Sequence, residues 1–179
     1  MQKKILQKEE RILRHIAKEV PVHDIKTIKI KKVLKEMSLA LQSQDDGVAI
    51  AAPQIGYSLR IFVVSEKVMK AGFPEQDLSQ AEIVPSVEIE KNLVFINPKI
   101  SKLSREKQWV PEGCLSVRPF YGKTFRSKKA TITAYDENGK KFIRGASGLL
   151  AQIFQHETDH LNGILFIDHA KDVKAEVLK

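Results

Sequence analysis

Hydrophobic positions along this chain follow two periods, one helical and one extended. Ile25, Ile28, Val33, Leu34, Met37 and Leu41 recur at helical spacing and trace one face of a helix that ends near Asp45-Asp46-Gly47. Ile61-Phe62-Val63-Val64 and Leu93-Val94-Phe95-Ile96 are short apolar runs that predict strands, the second closed by Asn97-Pro98. Between them the polar stretch from Ser65 to Asn92 carries Gly72, Pro74 and Pro85. It reads as a long excursion, with a short strand expected near Ala81 to Val84 or Val87 to Glu90. Farther on, Ala130-Thr131-Ile132-Thr133-Ala134-Tyr135 alternates as a half-buried strand does, and Lys141-Phe142-Ile143-Arg144 returns antiparallel to it. Asp136-Glu137-Asn138-Gly139 is the turn, with Asn-Gly supplying the positive φ values.

A second helical stripe, Leu149, Leu150, Ile153, Phe154 and Leu161, begins after Ser147, a natural cap, and ends at Asn162-Gly163. Strands on both sides of this helix predict an α+β fold, with antiparallel sheets packed around a central helix. The helix over Ile25 to Leu41 is expected to pack on the sheet near it. No repeat or low-complexity linker interrupts residues 1–179, which read as a single catalytic domain. The tail from Lys171 to Leu178 is expected to form a short exposed helix, mobile from about residue 170.

The central helix carries His156-Glu157-Thr158-Asp159-His160. Histidines four residues apart project from one helix face and can hold one metal ion between them. Glu157 is too close to its neighbours to join the same tetrahedron, but it can take a proton from a water at the metal. That pattern points to metal-assisted hydrolysis. The chain's one cysteine lies in Glu112-Gly113-Cys114-Leu115-Ser116. A lone cysteine is ordinarily a small buried hydrophobe, yet a thiolate is also a natural third ligand. A third segment, Gly47-Val48-Ala49-Ile50-Ala51-Ala52-Pro53-Gln54, has small residues that admit close backbone approach and ends in an amide able to donate to an oxyanion.

In this order the three segments resemble the peptide deformylase family, which carries a glycine-rich segment ending in glutamine, then Glu-Gly-Cys-Leu-Ser, then His-Glu-x-x-His. The likeness continues through Leu161-Asn162-Gly163-Ile164-Leu165-Phe166-Ile167-Asp168, and so covers the chain from about Gly47 to Asp168. The resemblance implies that Cys114, His156 and His160 hold one ion, with a fourth position left for water. Glu157 would act as general base, and Gln54 and the Leu115 N–H would hold the tetrahedral oxyanion. The reaction would free formate and an N-terminal amine from formyl-methionine on newly made polypeptides. By the same resemblance, Val48, Ala49, Val110, Gly113, Leu149 and Ile153 form the substrate pocket, with Gln152 at its rim. The ion in the cell is expected to be Fe2+, while Zn2+, Ni2+ or Co2+ suit the same donors in purified protein.

Two positions depart from the family pattern. Ala49 stands where a second glycine is usual, and its methyl group is expected to narrow the groove slightly. Arg118 stands where a proline is usual, so the loop from Val117 to Gly122 is expected to take its own path and to affect substrate preference.

Glu112, two residues before Cys114, would share a strand face with it, and Arg126, at the position where the resembling family commonly places an arginine just before the next strand, is by that resemblance a candidate ion-pair partner fixing that backbone. Composition narrows the setting further. A single cysteine excludes an internal disulfide framework and suits a reducing compartment, and Met1-Gln2-Lys3-Lys4-Ile5-Leu6 leads into charged residues without a long apolar region. A cytoplasmic enzyme is expected, with no membrane span and no sequence-specific nucleic-acid partner. The 30 Lys+Arg against 22 Asp+Glu give a net charge of +8. Lys26 to Lys32 and Arg126 to Lys129 read as solvated faces, because no aromatics interleave them; contact with a ribosome through the basic surface is the other reading. Two rival functions are a metallopeptidase with His169 as third ligand, and a catalytically silent ribosome- or RNA-binding relative.

Overall fold

The computed structural model describes residues 3–70 and 92–176. After two short 3-10 turns, helix α1 spans Ile28–Gln42, with the Thr27 hydroxyl accepting from the Ile30 N–H as its cap. Strands β1 (Ala49–Ala51) and β2 (Ile61–Val64) flank a 3-10 turn over Ala52–Ile55. A short helix α2 follows over Glu66–Lys70. Then come β3 (Leu93–Leu103), β4 (Lys107–Gly113), β5 (Phe120–Ser127), β6 (Lys129–Tyr135) and β7 (Lys141–Ser147). Helix α3, Gly148–Leu161, carries the two histidines, and β8 spans Lys171–Ala175.

All named strand pairs are antiparallel. They form a five-stranded sheet in the order β1-β2-β3-β6-β7 and a three-stranded sheet in the order β4-β5-β8. Strand alternation divides the larger sheet into two apolar faces. Phe62, Val64 and Phe95 point to the α3 side, where they pack with Ile132, Ile153 and Phe154. Ile61, Val63 and Ile96 point the other way, onto Val33, Met37 and Leu41 of α1. Helix α3 is therefore central, as expected. Helix α1, expected beside it, instead covers the opposite face of the same sheet, because β2 is apolar at every position and needs a cover on both sides.

Asn97-Pro98 does not close its strand. β3 continues to Leu103 through a register shift, with Asn97 at φ 51°. The Asn97 side chain accepts from the Val20 N–H at 2.8 Å and donates to the Val20 carbonyl at 2.7 Å, so the bulge is held by a neighbouring segment. In the β6–β7 turn only Gly139 has positive φ, while the Asp136 carboxylate accepts from the N–H groups of Asn138 and Lys140. The tail expected as a helix is strand β8, paired with β5. The strands expected near residues 81–90 lie outside the described residues.

Ser147 sits at the N-cap of α3 but makes no capping hydrogen bond; it is still the last residue of β7, in register with Lys129. Gly163 ends the helix region at φ 75°, and a Cβ there would lie 2.6 Å from the Arg14 carbonyl oxygen. Gly163→Ala is expected to cost at least about 1–2 kcal/mol from backbone conformation alone. The measurement is the urea midpoint, and an unchanged midpoint would contradict the tight approach. No helix among the described residues is long and apolar enough to cross a membrane.

Candidate active site

Two layers meet at the site. β4 delivers Cys114 just past its end, and α3 delivers His156 and His160 from one face. One ligand atom from each of these three residues lies within 4.8 Å of the others. The Cys114 Sγ is 3.1 Å from the His160 Nε2, and the Ser116 N–H points at the same sulfur from 3.4 Å. His156 Nδ1 is 2.6 Å from a Glu112 carboxylate oxygen, which orients the ring and leaves Nε2 for a metal. This donor set fits one divalent ion. His169, the alternative third ligand, is absent from the group and lies 3.5 Å from Asp159 instead.

Glu112 holds more of the site together than pairing with Arg126 alone requires. Its carboxylate accepts from Arg126 Nη2 at 2.7 Å, Arg126 Nε at 3.1 Å and the Thr124 hydroxyl at 2.6 Å. Arg126 donates its remaining Nη1 to Asp159 at 2.7 Å, so one guanidinium joins β4 to α3. Burial raises the Glu112 pKa, but hydrogen bonds from His156 and Arg126 outweigh it and hold the carboxyl below its usual range. Arg126 is itself buried. The Arg126 to Lys129 run is therefore no solvated face, because strand alternation turns its first residue inward. Arg126→Ala leaves Glu112 and Asp159 without their cation. It is expected to cost about 3–5 kcal/mol, roughly 10 °C in melting temperature, and to weaken metal retention. Unchanged melting and metal content would retire this support role.

Glu157 is 3% exposed, and its Oε2 has no hydrogen-bond partner among the described residues. Burial pushes its carboxyl up to about 7; the carboxylates of Glu112 and Asp159 add to this, against the pull of His156. Such a group can both accept and return a proton near neutrality. Burial, followed by the neighbouring His156, holds His160 far below the ordinary histidine pKa, in the neutral form a ligand needs. At His156 burial acts the same way, but hydrogen bonds and charge from Cys114 and Glu112 overcome it and raise the pKa.

Gln54, in the turn after β1, accepts the Ala51 N–H at 2.8 Å. Its Nε2 donates to the Ser116 hydroxyl at 3.0 Å and lies 3.7 Å from the Cys114 sulfur. The Leu115 N–H has no hydrogen-bond partner among the described residues. A cleft of about 400 Å³ opens over these groups. Val48, Ala49, Gly113, Leu149, Gln152 and Ile153 line it, whereas Val110 does not. Val110, paired with Thr124, lies farther along β4 from Cys114 than Pro111, Glu112 and Gly113, which do reach the cleft. Pro111, Tyr121 and Asp46 line the cleft without having been foreseen; Arg118, expected to affect substrate preference, lines it too and pairs with Asp46 across its walls. Ser116, Thr124 and Asp159 were also missed. Asp159 stood inside the histidine motif, where spacing alone reads it as a spacer.

A cysteine sulfur and two imidazoles converging beside a buried carboxylate fit the class of metal-dependent hydrolases. The family model for polypeptide deformylase matches residues 2–176. The chain is 40% identical over 152 residues to the peptide deformylase of Borreliella burgdorferi, covering 84% of this chain and 79% of that protein. A crystal structure of a peptide deformylase from Legionella pneumophila matches with a TM-score of 0.77 at 32% identity, over 96% of this chain and 88% of that one. The Met-Ala-Ser-bound class I type b peptide deformylase from Acinetobacter baumannii gives 0.77 at 28% identity, over 94% and 98%. The chain belongs to the polypeptide deformylase family, metal-dependent hydrolases that remove N-formyl groups from nascent peptides.

Proposed function

We propose that residues 1–179 act as one catalytic domain that deformylates N-terminal formyl-methionine in the cytoplasm, with Cys114, His156 and His160 holding one Fe2+ ion. The observation that carries this is the convergence of those three ligand atoms beside the buried, unpartnered Glu157 carboxylate. A bound ion supplies Lewis acidity, polarising the formyl carbonyl and making water a better nucleophile. Glu157 takes the proton from a water in the cleft as that water attacks the formyl carbon, and then returns it to the departing amine. Gln54 Nε2 and the Leu115 N–H donate to the oxygen that becomes negative. Ser116 keeps the Gln54 amide aimed there.

Substrate lies along the free edge of β1 at Ala49 and against Gly113, with the methionine side chain among Val48, Leu149 and Ile153. The charge of +8 favours a place near the ribosome, where such chains emerge. The test is formate release from formyl-Met-Ala-Ser alongside metal analysis of protein purified without oxygen. Stoichiometric iron with rapid formate release is expected. Metal-loaded protein that releases no formate, or that cuts the unformylated peptide instead, would overturn the reading.

A further inference from the structure

The three-stranded sheet has two unlike faces. Glu112, Thr124 and Arg126 point inward to the metal site and are buried. The residues alternating with them point outward: Lys107 and Trp109 on β4, Lys123 and Phe125 on β5, joined by Lys171 and Lys174 of β8, all exposed. Trp109 and Phe125 are direct cross-strand partners, with ring centroids 5.2 Å apart and planes at 37°. They remain 45% and 49% exposed. The Lys171 Nζ lies 4.8 Å from the Trp109 ring and the Lys107 Nζ 5.9 Å from the Phe125 ring. Three acids approach the face: Asp172, paired with Lys123 at 3.3 Å, and Glu176 and Asp46, whose charges act on Tyr121, Asp46 being paired with Arg118.

We propose that this outer face binds single-stranded RNA, with unpaired bases stacking on Trp109 and Phe125 and phosphates drawn to Lys107, Lys123, Lys171 and Lys174. Paired rings with a lysine rim are the combination that holds unstacked bases on a charged backbone without reading their identity. A protein partner fits poorly, because lysine is depleted at the centres of protein interfaces and here it surrounds both rings. Duplex RNA keeps its bases stacked, and its deep, narrow major groove keeps side chains out, so the two rings would find no base face there. The chain's net charge of +8 adds long-range attraction for a polyanion. In sequence order the lysines and rings are scattered; cross-strand pairing brings them together. The proposal stands on this surface alone and does not depend on the chemistry of the cleft.

Trp109 is the chain's one tryptophan, so intrinsic fluorescence reports directly on the proposed surface. A uridine 12-mer titrated into the full chain is expected to quench it, with log K against log salt sloping by about −2 to −3 if three to four phosphates are neutralised. Phe125→Ala keeps the reporter and is expected to weaken binding about tenfold. Lys107→Glu with Lys171→Glu should flatten the salt slope by about one to two, with melting temperature unchanged in both variants. Three results would overturn the proposal: equal quenching by inorganic polyphosphate, equal or tighter binding of duplex RNA or polyglutamate, or unchanged affinity in Phe125→Ala.

Discussion

Glu157→Gln is expected to retain its metal and lose turnover by about a hundredfold to ten-thousandfold, the scale of a positioned general base. The substitution keeps the size and shape of a side chain on α3 that is 3% exposed, so the packing around it is preserved. What disappears is the ability to accept a proton, in a group whose surroundings bring it to about 7. Because none of the three ligand atoms belongs to Glu157, ion content should stay at one per chain while formate release collapses. Near-normal turnover would move the base to another residue, and lost metal would make Glu157 part of the ion's support.

Cys114→Ala should empty the site. It removes one of three protein ligands, and the sulfur it deletes also receives the Ser116 N–H and faces the Gln54 amide. Loss of a merely supporting partner costs about 10–100-fold in metal affinity, so loss of the thiolate should exceed that and take formate release with it. Equilibrium dialysis against a defined metal buffer measures the drop. Full occupancy in this variant would sink the ligand assignment.

Much of the site was legible because its chemistry lies in contiguous residues. His156, Glu157 and His160 sit on one helix, and helical spacing fixes their common face. The supporting partners were harder, since Thr124 and Asp159 reach Glu112 and Arg126 only through strand register and helix docking, and neither leaves a mark in local spacing. The same limit explains α1. Its apolar face was plain, but which side of the sheet it covers depends on the two-sided burial of β2. At the tail, Lys171 to Ala175 is exposed at every position, so no periodicity separates helix from strand; pairing with β5 decides it. Asn97-Pro98 ordinarily stops a strand, and here a bulge held by Val20 carries the chain past it.

The ligands also have a meaning as points along the polymer. Cys114 and His156 enclose β5, β6, β7 and the first half of α3, so coordination by both closes that stretch into a loop, as a covalent cross-link would. With one cysteine the chain has no disulfide of its own to do this. Chelation should then lower the unfolding temperature as well as silence the enzyme, by an amount that grows with the logarithm of the metal concentration beforehand.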